Sequence, residues 1–254
     1  MPRILEVIRD RHSARGSFDP GCPVTKPELK LILEAAQWAP TPSNMQNFEI
    51  VIVDDKTQLE ALGKIPAEMS EDFLRENYAQ LSFSEAELSI KKTGMLASTF
   101  PPAWTNPEAW SPDSDATSQL TFLGVSVRET PLLLVVLYDG NKRAPGSEGD
   151  PLGHMGLGCV LENMWLISES LGIGFHVLTV FSDGPVEKQV KSVLHVAPHM
   201  KIAFACSLGH PLDPSASYVR VRRDLEDFVH HNQFGRKDIM WKTQRPRNGR
   251  GVAG

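Results

Sequence analysis

The sequence predicts a mixed fold in which helices and strands are intermixed along the chain. A T-x-x-E capping box begins at Thr25, and apolar residues follow it at helical spacing up to Trp38. The continuous apolar run 132–138 is bounded by turn residues, which is typical of a strand buried on both faces. Asp150 is placed to cap a helix over 151–171 that is apolar nearly all round. These three segments predict a sheet with helices packed on it.

The other elements follow from the same kinds of signal. Pro40 and Pro42 stop the helix that begins after Thr25, and Gly172 ends the long helix. We expect the run 132–138 in the centre of the sheet. The remaining predictions are a first helix at 1–10, a strand at 48–53, a short helix at 56–62, a helix from the capping box Ser84/Glu87 toward Leu96, a strand at 175–181, a helix from Pro185 toward Leu194 and a last strand at 202–208.

Length and composition limit the class of protein. The 254 residues are expected to form one domain over 1–240, followed by a mobile basic tail over 241–254. A net charge of −5 argues against a general nucleic-acid binder. Three widely separated cysteines without CxxC spacing predict neither a disulfide framework nor a zinc site. There is no signal-peptide pattern and no apolar run of about 18 residues, so we expect no membrane partner and place the protein in the cytoplasm.

The segment 70–128 is the least regular part of the sequence. Its stretch 100–112 combines aromatic rings with prolines, as a substrate lid or a domain-packing loop would. Both interpretations stay open at this point.

A cluster of basic and polar residues lies at the apparent end of the first helix. Arg11, Ser13 and Arg15 bring two guanidinium groups and a hydroxyl together within five residues, which suits a phosphate. Arg220 and Arg222 form a second basic cluster and would project from one face of an extended segment. The two clusters could meet on one phosphate, although ordinary surface charge would explain either of them alone.

The loop 39–48 has a different character. Its two prolines and several short polar side chains make a stiff connection, which can present backbone and amide groups to a flat heteroaromatic ligand without a fresh ordering cost. Together with the basic cluster, this loop indicates a bound nucleotide-like cofactor.

Other chemistries find little support. The glycines of the tract 153–158 lie inside a helical pattern and lack G-x-G-x-x-G spacing, so they are expected to let the helix approach a neighbouring backbone or ligand closely. His195 and His199 have no carboxylate or cysteine at ligand spacing, so we expect no metal. No serine or cysteine sits in a catalytic pattern. The chemistry is therefore expected to come from the cofactor.

The order of these features resembles the FMN-dependent nitroreductase family, whose members share an R-x-S-x-R/K motif, an A-P-S-x-x-N-x-Q-P-W-like loop followed by a strand, and a basic segment near the end. Nearly the whole chain fits this pattern, through Arg11 to Arg15, Ala39 to Phe48, Asn163, Leu171 to Gly174 and Leu208 to Pro211. Asn47-Phe48 stands where the family has proline-tryptophan, a departure that concerns pocket shape more than FMN.

The resemblance implies an α+β, nitroreductase-like fold with a central mixed β-sheet wrapped by helices. It also implies an intertwined homodimer with FMN at the interface and the long helix in the dimer core. The cofactor-binding residues that it implies, by position in this chain, are Arg11, His12, Ser13, Arg15, Pro40, Thr41, Pro42, Ser43, Asn44, Gln46, Leu178, Thr179, Val180, Arg220 and Arg222.

The implied activity is ping-pong hydride transfer from NADH or NADPH through flavin N5 to a nitroaromatic, quinone or similar aromatic acceptor. No side chain is expected to act as acid or base. Phe100, Trp104 and Trp110 are predicted to stack on the acceptor, with a packing role equally open. The alternatives are a flavoenzyme of the same fold that performs dehalogenation, dehydrogenation or ring reduction, a flavin carrier without turnover, and an unrelated phosphate-binding module.

Overall fold

The computed structural model describes residues 3–67, 71–106, 108, 124, 127–146, 148–182, 184–213 and 218–237. Within these ranges the longer elements, in chain order, are α1 (Arg3–Asp10), α2 (Lys26–Gln37), β1 (Glu49–Val53), α3 (Lys56–Leu62), α4 (Glu71–Asn77), β2 (Ser82–Phe83), α5 (Glu85–Lys91), β3 (Met95–Leu96), α6 (Pro102–Thr105), β4 (Leu132–Asp139), α7 (Pro151–Ser170), β5 (Gly174–Leu178), α8 (Gly184–Val193), β6 (Met200–Gly209) and α9 (Leu225–Phe228).

The chain forms two compact units. The first comprises Met1–Asp72 and Glu108–Ser217, and the second comprises Phe73–Pro107 and Tyr218–Gly254. The first unit contains the four-stranded sheet with α1, α2, α3, α7 and α8, whereas the second contains β2, β3, α5, α6, α9 and most of α4. The predicted single domain over 1–240 stays a prediction.

The sheet of the first unit has the strand order β1-β4-β6-β5, and its neighbouring strands pair antiparallel. A parallel bridge joins Ser13 to Phe175 beside β5. The central position predicted for the run 132–138 is confirmed, because β4 lies between β1 and β6 and its residues from Leu132 to Leu137 are buried. The α+β class is also confirmed.

Two apolar clusters cover the two faces of this sheet. One contains alternate residues of β4 (Leu133, Val135) with side chains of α3 and α8. The other contains the intervening residues of β4 (Leu134, Val136) with side chains of α2 and α7. A strand in an antiparallel sheet usually has one wet face, but here helices cover both faces, which explains the continuous apolar run.

Local signals set the ends of the helices as predicted. The side chain of Thr25 accepts a hydrogen bond from the Glu28 N–H, and the Glu28 carboxylate accepts one from the Thr25 N–H, which completes the capping box of α2. Asp150 caps α7 through the N–H of Gly153. Asp55 caps α3 in the same way.

Two element ends differ from the prediction. The helix that follows Ser84 stops at Lys91 instead of running toward Leu96, because Lys92 is left-handed (φ 55°) and a turn through Gly94 brings the chain back to pair β3 with β2. At Gly94 a Cβ atom would lie 2.5 Å from the ring of Phe83, so the turn requires glycine.

The strand predicted at 175–181 is also shorter than expected. β5 ends at Leu178, and residues Thr179–Ser182 form a 3-10 turn that leads into α8. The β-branched and aromatic composition of 177–181 favours a strand, but the side chain of Phe181 is buried in the cluster beneath the turn. Tertiary packing therefore overrides the local preference.

The second unit contains an aromatic cluster. The ring of Tyr78 lies 5.4 Å from that of Phe100 and 4.9 Å from that of Trp104. Trp104 is only 3% exposed. Trp110 and the tail 241–254 lie outside the described residues. In the described ranges, none of the helices is long and apolar enough to cross a membrane.

We predict that Thr25→Ala lowers the free energy of unfolding by about 1 kcal/mol, because the cap of α2 is lost. Hydrogen bonds from Thr25 hold the pKa of Glu28 below its ordinary value of 4.5. Stabilisation by a carboxylate with a lowered pKa is present above the unfolded-state pKa and disappears as pH falls through the folded-state pKa. The difference between wild type and variant should therefore shrink in urea titrations below pH 4.5.

Thr57→Ala, on an exposed position in the first turn of α3, is the matched control and should cause no comparable loss. A Thr25→Ala difference that is as large in acid as at pH 7 would contradict this account.

Candidate functional site

The predicted arginine segment 11–15 extends the edge of the sheet beside β5. Ser13 forms a parallel bridge with Phe175, and the N–H of Ala14 donates to the carbonyl of Phe175 at 3.0 Å. Gly174 makes this approach possible, since a Cβ atom there would lie 2.7 Å from the Cβ of Ala14. Backbone pairing therefore fixes the segment against the strand.

The beginning of the same segment is held by α7. The Nε of Arg11 lies 3.2 Å from the carboxylate of Glu162, and its guanidinium stands 4.5 Å from the ring centroid of Trp165. The Nδ1 of His12 lies 3.7 Å from the carboxylate of Glu169. These three contacts fall on one side of the helix, at positions i, i+3 and i+7.

The charge of Arg15 acts on a neighbouring histidine. Burial, and then the positive charge of Arg15, lower the pKa of His176 to about 4. His176 is therefore neutral at physiological pH and adds no charge of its own to the arginine segment. In the antiparallel register it lies opposite Ser207 of β6.

The predicted stiff loop contains three residues in the left-handed region, Ser43, Asn44 and Gln46, with φ of 50°, 55° and 48°. Such conformations cost of order 1–3 kcal/mol each and persist only where the surroundings impose them. Here the Gln46 N–H donates to the Thr41 hydroxyl at 3.1 Å, and the Gln46 side-chain amide donates to the Asn44 side chain at 3.2 Å. The loop is thus held in one shape by its own polar groups.

Asn47 joins this loop to the end of β4. Its side-chain amide donates to the carbonyl of Asp139 at 3.1 Å and accepts from the N–H of Asp139 at 3.1 Å. In the sequence, Asn47 is recognisable only as a departure from the family pattern. Its structural role depends on a strand end 92 positions away, which no local signal reveals.

The glycine tract of α7 has the predicted effect at Gly156. A Cβ atom there would lie 3.0 Å from the Cδ of Pro42 and 3.5 Å from the Cα of Thr41. The helix therefore touches the backbone of the loop directly. Gly158 has no neighbour within 4 Å of the equivalent position, so it plays no such part.

An open pocket lies between the loop, the end of β4 and the first turns of α7. Two predicted residues line it, Thr41 and Pro42, whereas the other lining residues were missed: Met45, Asn47, Phe48, Tyr138, Asp150, Gly153, His154, Gly156 and Leu157. An apolar wall with a few polar groups is the usual character of a small-molecule site.

Two polar rings lie in this pocket. Burial, and then the negative charges of Glu187 and Asp150, raise the pKa of Tyr138, so its phenol is protonated at physiological pH. His154 contacts the carbonyl of Asp150 through Nδ1 at 2.8 Å. Since a carbonyl only accepts, Nδ1 carries a proton in this contact.

The structure brings the arginine segment and the loop to the same helix but to different turns. The loop meets α7 at Gly156, and Arg11 meets it at Glu162, about 9 Å further along the axis by helix geometry. Leu178 is buried at the end of β5, while Thr179 is exposed in the following turn.

The other predicted site residues belong to the second unit. Arg220 and Arg222 are exposed and precede α9, and Arg222 donates to the carbonyl of Val221 at 2.7 Å. Their meeting with Arg15 on one phosphate stays a prediction. Within the described part of the chain, no group of three histidine, cysteine or acidic side chains could hold a metal ion.

Comparison with protein families matches residues 8–210 to the family model described as "Nitroreductase family". No curated protein matches the chain in sequence.

Several solved structures have a similar fold. An oxidized iodotyrosine deiodinase bound to FMN and 3-iodo-L-tyrosine is 18% identical, with a TM-score of 0.59 over 91% of this chain and 100% of that chain. A nitroreductase-like family protein from Bacillus cereus is 15% identical, with a TM-score of 0.59 over 91% and 96% of the two chains. An FMN-dependent nitroreductase from Clostridium difficile R20291 is 17% identical, with a TM-score of 0.57 over 91% and 99%.

We predict opposite outcomes for two alanine substitutions in α7. Gly158→Ala should raise the free energy of unfolding by about 0.5–1 kcal/mol, because alanine is the better helix former and no atom of the same chain lies within 4 Å of the added Cβ. Gly156→Ala should lose this gain, because its Cβ would press on Pro42. Urea denaturation of both variants tests the contact, and equal effects would show that the loop does not rest on α7.

Proposed function

The chain belongs to the nitroreductase family, and we propose that it is an FMN-dependent oxidoreductase that takes electrons from NADH or NADPH. The observation that carries this proposal is the fixing of the arginine segment 11–15 between β5 and α7, the helix that also supports the loop 39–48. Both segments are the ones that the family pattern assigns to the flavin.

The donors of the arginine segment fit a phosphate. We propose that Arg11, Ser13 and Arg15 bind the phosphate of FMN, completed by Arg220 and Arg222. Guanidinium groups and a hydroxyl give charge-assisted hydrogen bonds to a dianion. Arg15 lies close enough to His176 for its positive charge, after burial, to contribute to the lowered pKa of that histidine.

The loop and the end of β5 would hold the rest of the cofactor. Backbone and side-chain groups of Pro40, Thr41, Pro42, Ser43, Asn44 and Gln46 are proposed to line the ribityl chain and the ring. Leu178, Thr179 and Val180 would present a backbone N–H to the flavin. When bound, FMN supplies hydride transfer at N5, so the protein needs to provide only binding and orientation.

The fixed shape of the loop is what such a site requires. A loop already held in its strained conformation loses little further entropy when a ligand binds. The polar contacts among Thr41, Asn44 and Gln46 therefore serve ligand affinity as well as local order.

We propose a small aromatic electron acceptor, such as a nitroaromatic or a quinone. Phe100 and Trp110 are proposed to stack on it. For Trp104, burial against Tyr78 favours the packing role over contact with a ligand.

Reductive dehalogenation is the second candidate. The iodotyrosine deiodinase and the nitroreductase-like protein from Bacillus cereus have the same TM-score to this chain. The fold is therefore as compatible with dehalogenation as with nitro reduction. Anaerobic addition of NADH and then NADPH, followed by nitroaromatics, quinones and halophenols, separates the candidates. A flavin that neither nucleotide reduces would argue against the electron donors proposed.

We also propose a homodimer built on α7. Gly156, Val160, Met164 and Ser168 form the buried stripe of this helix, whereas Met155 on another side is 65% exposed. Ile4 and Ile8 of α1, which packs against α7, add exposed apolar surface. An apolar surface of this kind indicates an interface between protein chains.

Arg15→Ala and Arg222→Ala should each weaken FMN binding by about 1.5–3 kcal/mol, as expected when a hydrogen bond to a charged group is lost. Titration of the ligand-free protein with FMN, followed by quenching of flavin fluorescence, measures the effect. Lys30→Ala on the exposed face of α2 is the control and should leave the affinity unchanged. Wild-type affinity in both arginine variants would remove the phosphate assignment.

Met155→Lys should dissociate the proposed dimer, because it places a charge in the apolar interface. Sedimentation velocity at several protein concentrations measures the mass. Ile90→Lys on α5, where Ile90 is 82% exposed, is the matched control and should leave the mass unchanged. A wild type that sediments as a monomer would contradict the dimer itself.

A further inference from the structure

Trp165 contacts three parts of the arginine segment and its strand at once. The guanidinium of Arg11 stands 4.5 Å from its ring centroid. Its indole N–H donates to the backbone carbonyl of His12 at 3.1 Å. Its ring stacks on Phe175, the bridge partner of Ser13, with centroids 5.3 Å apart and planes 19° apart. No sequence motif points to this residue.

Glu162 acts on the same guanidinium from another direction. Its carboxylate lies 3.2 Å from the Nε of Arg11, one helical turn before Trp165. The ring of Trp165 and the carboxylate of Glu162 therefore contact the guanidinium together, and both restrict where it can lie.

We propose that Trp165, assisted by Glu162, is a positioning residue that holds Arg11 in the orientation needed to bind the phosphate of FMN. This inference rests on the proposed function. Trp165 itself does not contact the phosphate in this proposal, but acts through Arg11 and through the carbonyl of His12.

Orientation, and not added charge, is what this arrangement supplies. A carboxylate beside Arg11 reduces the positive potential offered to a dianion, so Glu162 would be unfavourable if field strength alone mattered. An unrestrained arginine loses side-chain entropy when it binds a ligand. When Trp165 and Glu162 restrain Arg11, this entropy is lost during folding, so that less of it is lost when the ligand binds.

Two substitutions of Trp165 separate its contacts. Trp165→Phe keeps an aromatic face for Arg11 and Phe175 but removes the N–H donor to His12. Trp165→Leu removes the face as well. Trp38→Leu is the matched control, since Trp38 is 82% exposed at the end of α2.

The experiment compares FMN with riboflavin, which is the same flavin without the phosphate. Kd values for both ligands are measured on each full-length variant by fluorescence quenching, and the ³¹P resonance of FMN is recorded at saturation. A general loss of packing would weaken both flavins alike, whereas a lost phosphate contact affects FMN only. Trp165→Phe keeps the test valid if Trp165→Leu does not fold.

Trp165→Leu should weaken FMN by about tenfold or more, as for a contact with a charged group, and leave riboflavin within about twofold. In Trp165→Phe we expect a smaller change in the same direction and a displaced ³¹P resonance. Trp38→Leu should match wild type. An unchanged ratio of the two Kd values together with an unmoved resonance overturns the inference. Failure of the wild type to bind FMN would instead overturn the proposed function.

Discussion

Contact between α7 and the chain segments around it is the constraint on which both candidate binding segments depend. Every fourth residue from Gly156 to Ser168 is buried. Glu162, Trp165 and Glu169 face the arginine segment, and Met155 lies on a third, exposed side. These three sides together cover most of the circumference of a helix with 3.6 residues per turn. Nearly all of that circumference is therefore apolar or specifically paired. This explains a composition that looks uniform in the sequence.

Near the proposed phosphate site, carboxylates partly offset the positive charge of the arginine segment. The carboxylates of Glu162 and Glu169 face Arg11 and His12, while His176 stays neutral beside Arg15. Carboxylates beside positive side chains, together with a neutral histidine, limit charge repulsion in the ligand-free protein. In the phosphate site that we propose, geometry contributes to selectivity alongside net charge.

Elements with local signals could be predicted from the sequence, and contacts made across the fold could not. The capping boxes, the prolines and the apolar run of β4 act within a few residues, so α2, α3, β4 and α7 were placed correctly. The left-handed Lys92, the bond from Asn47 to Asp139 and the position of Trp165 under Arg11 depend on distant partners. The arginine segment itself was recognisable because its donors are adjacent in sequence, while the residues that orient it come from a helix about 150 positions away.

Flavin binding is tested most directly by the absorption spectrum of the purified protein, taken before and after incubation with FMN and removal of unbound ligand. We expect the protein to retain flavin, with the yellow absorbance of FMN and one flavin per chain. A protein that is colourless as purified and still colourless after incubation would contradict this expectation. In that case the arginine segment and the strained loop would need another ligand.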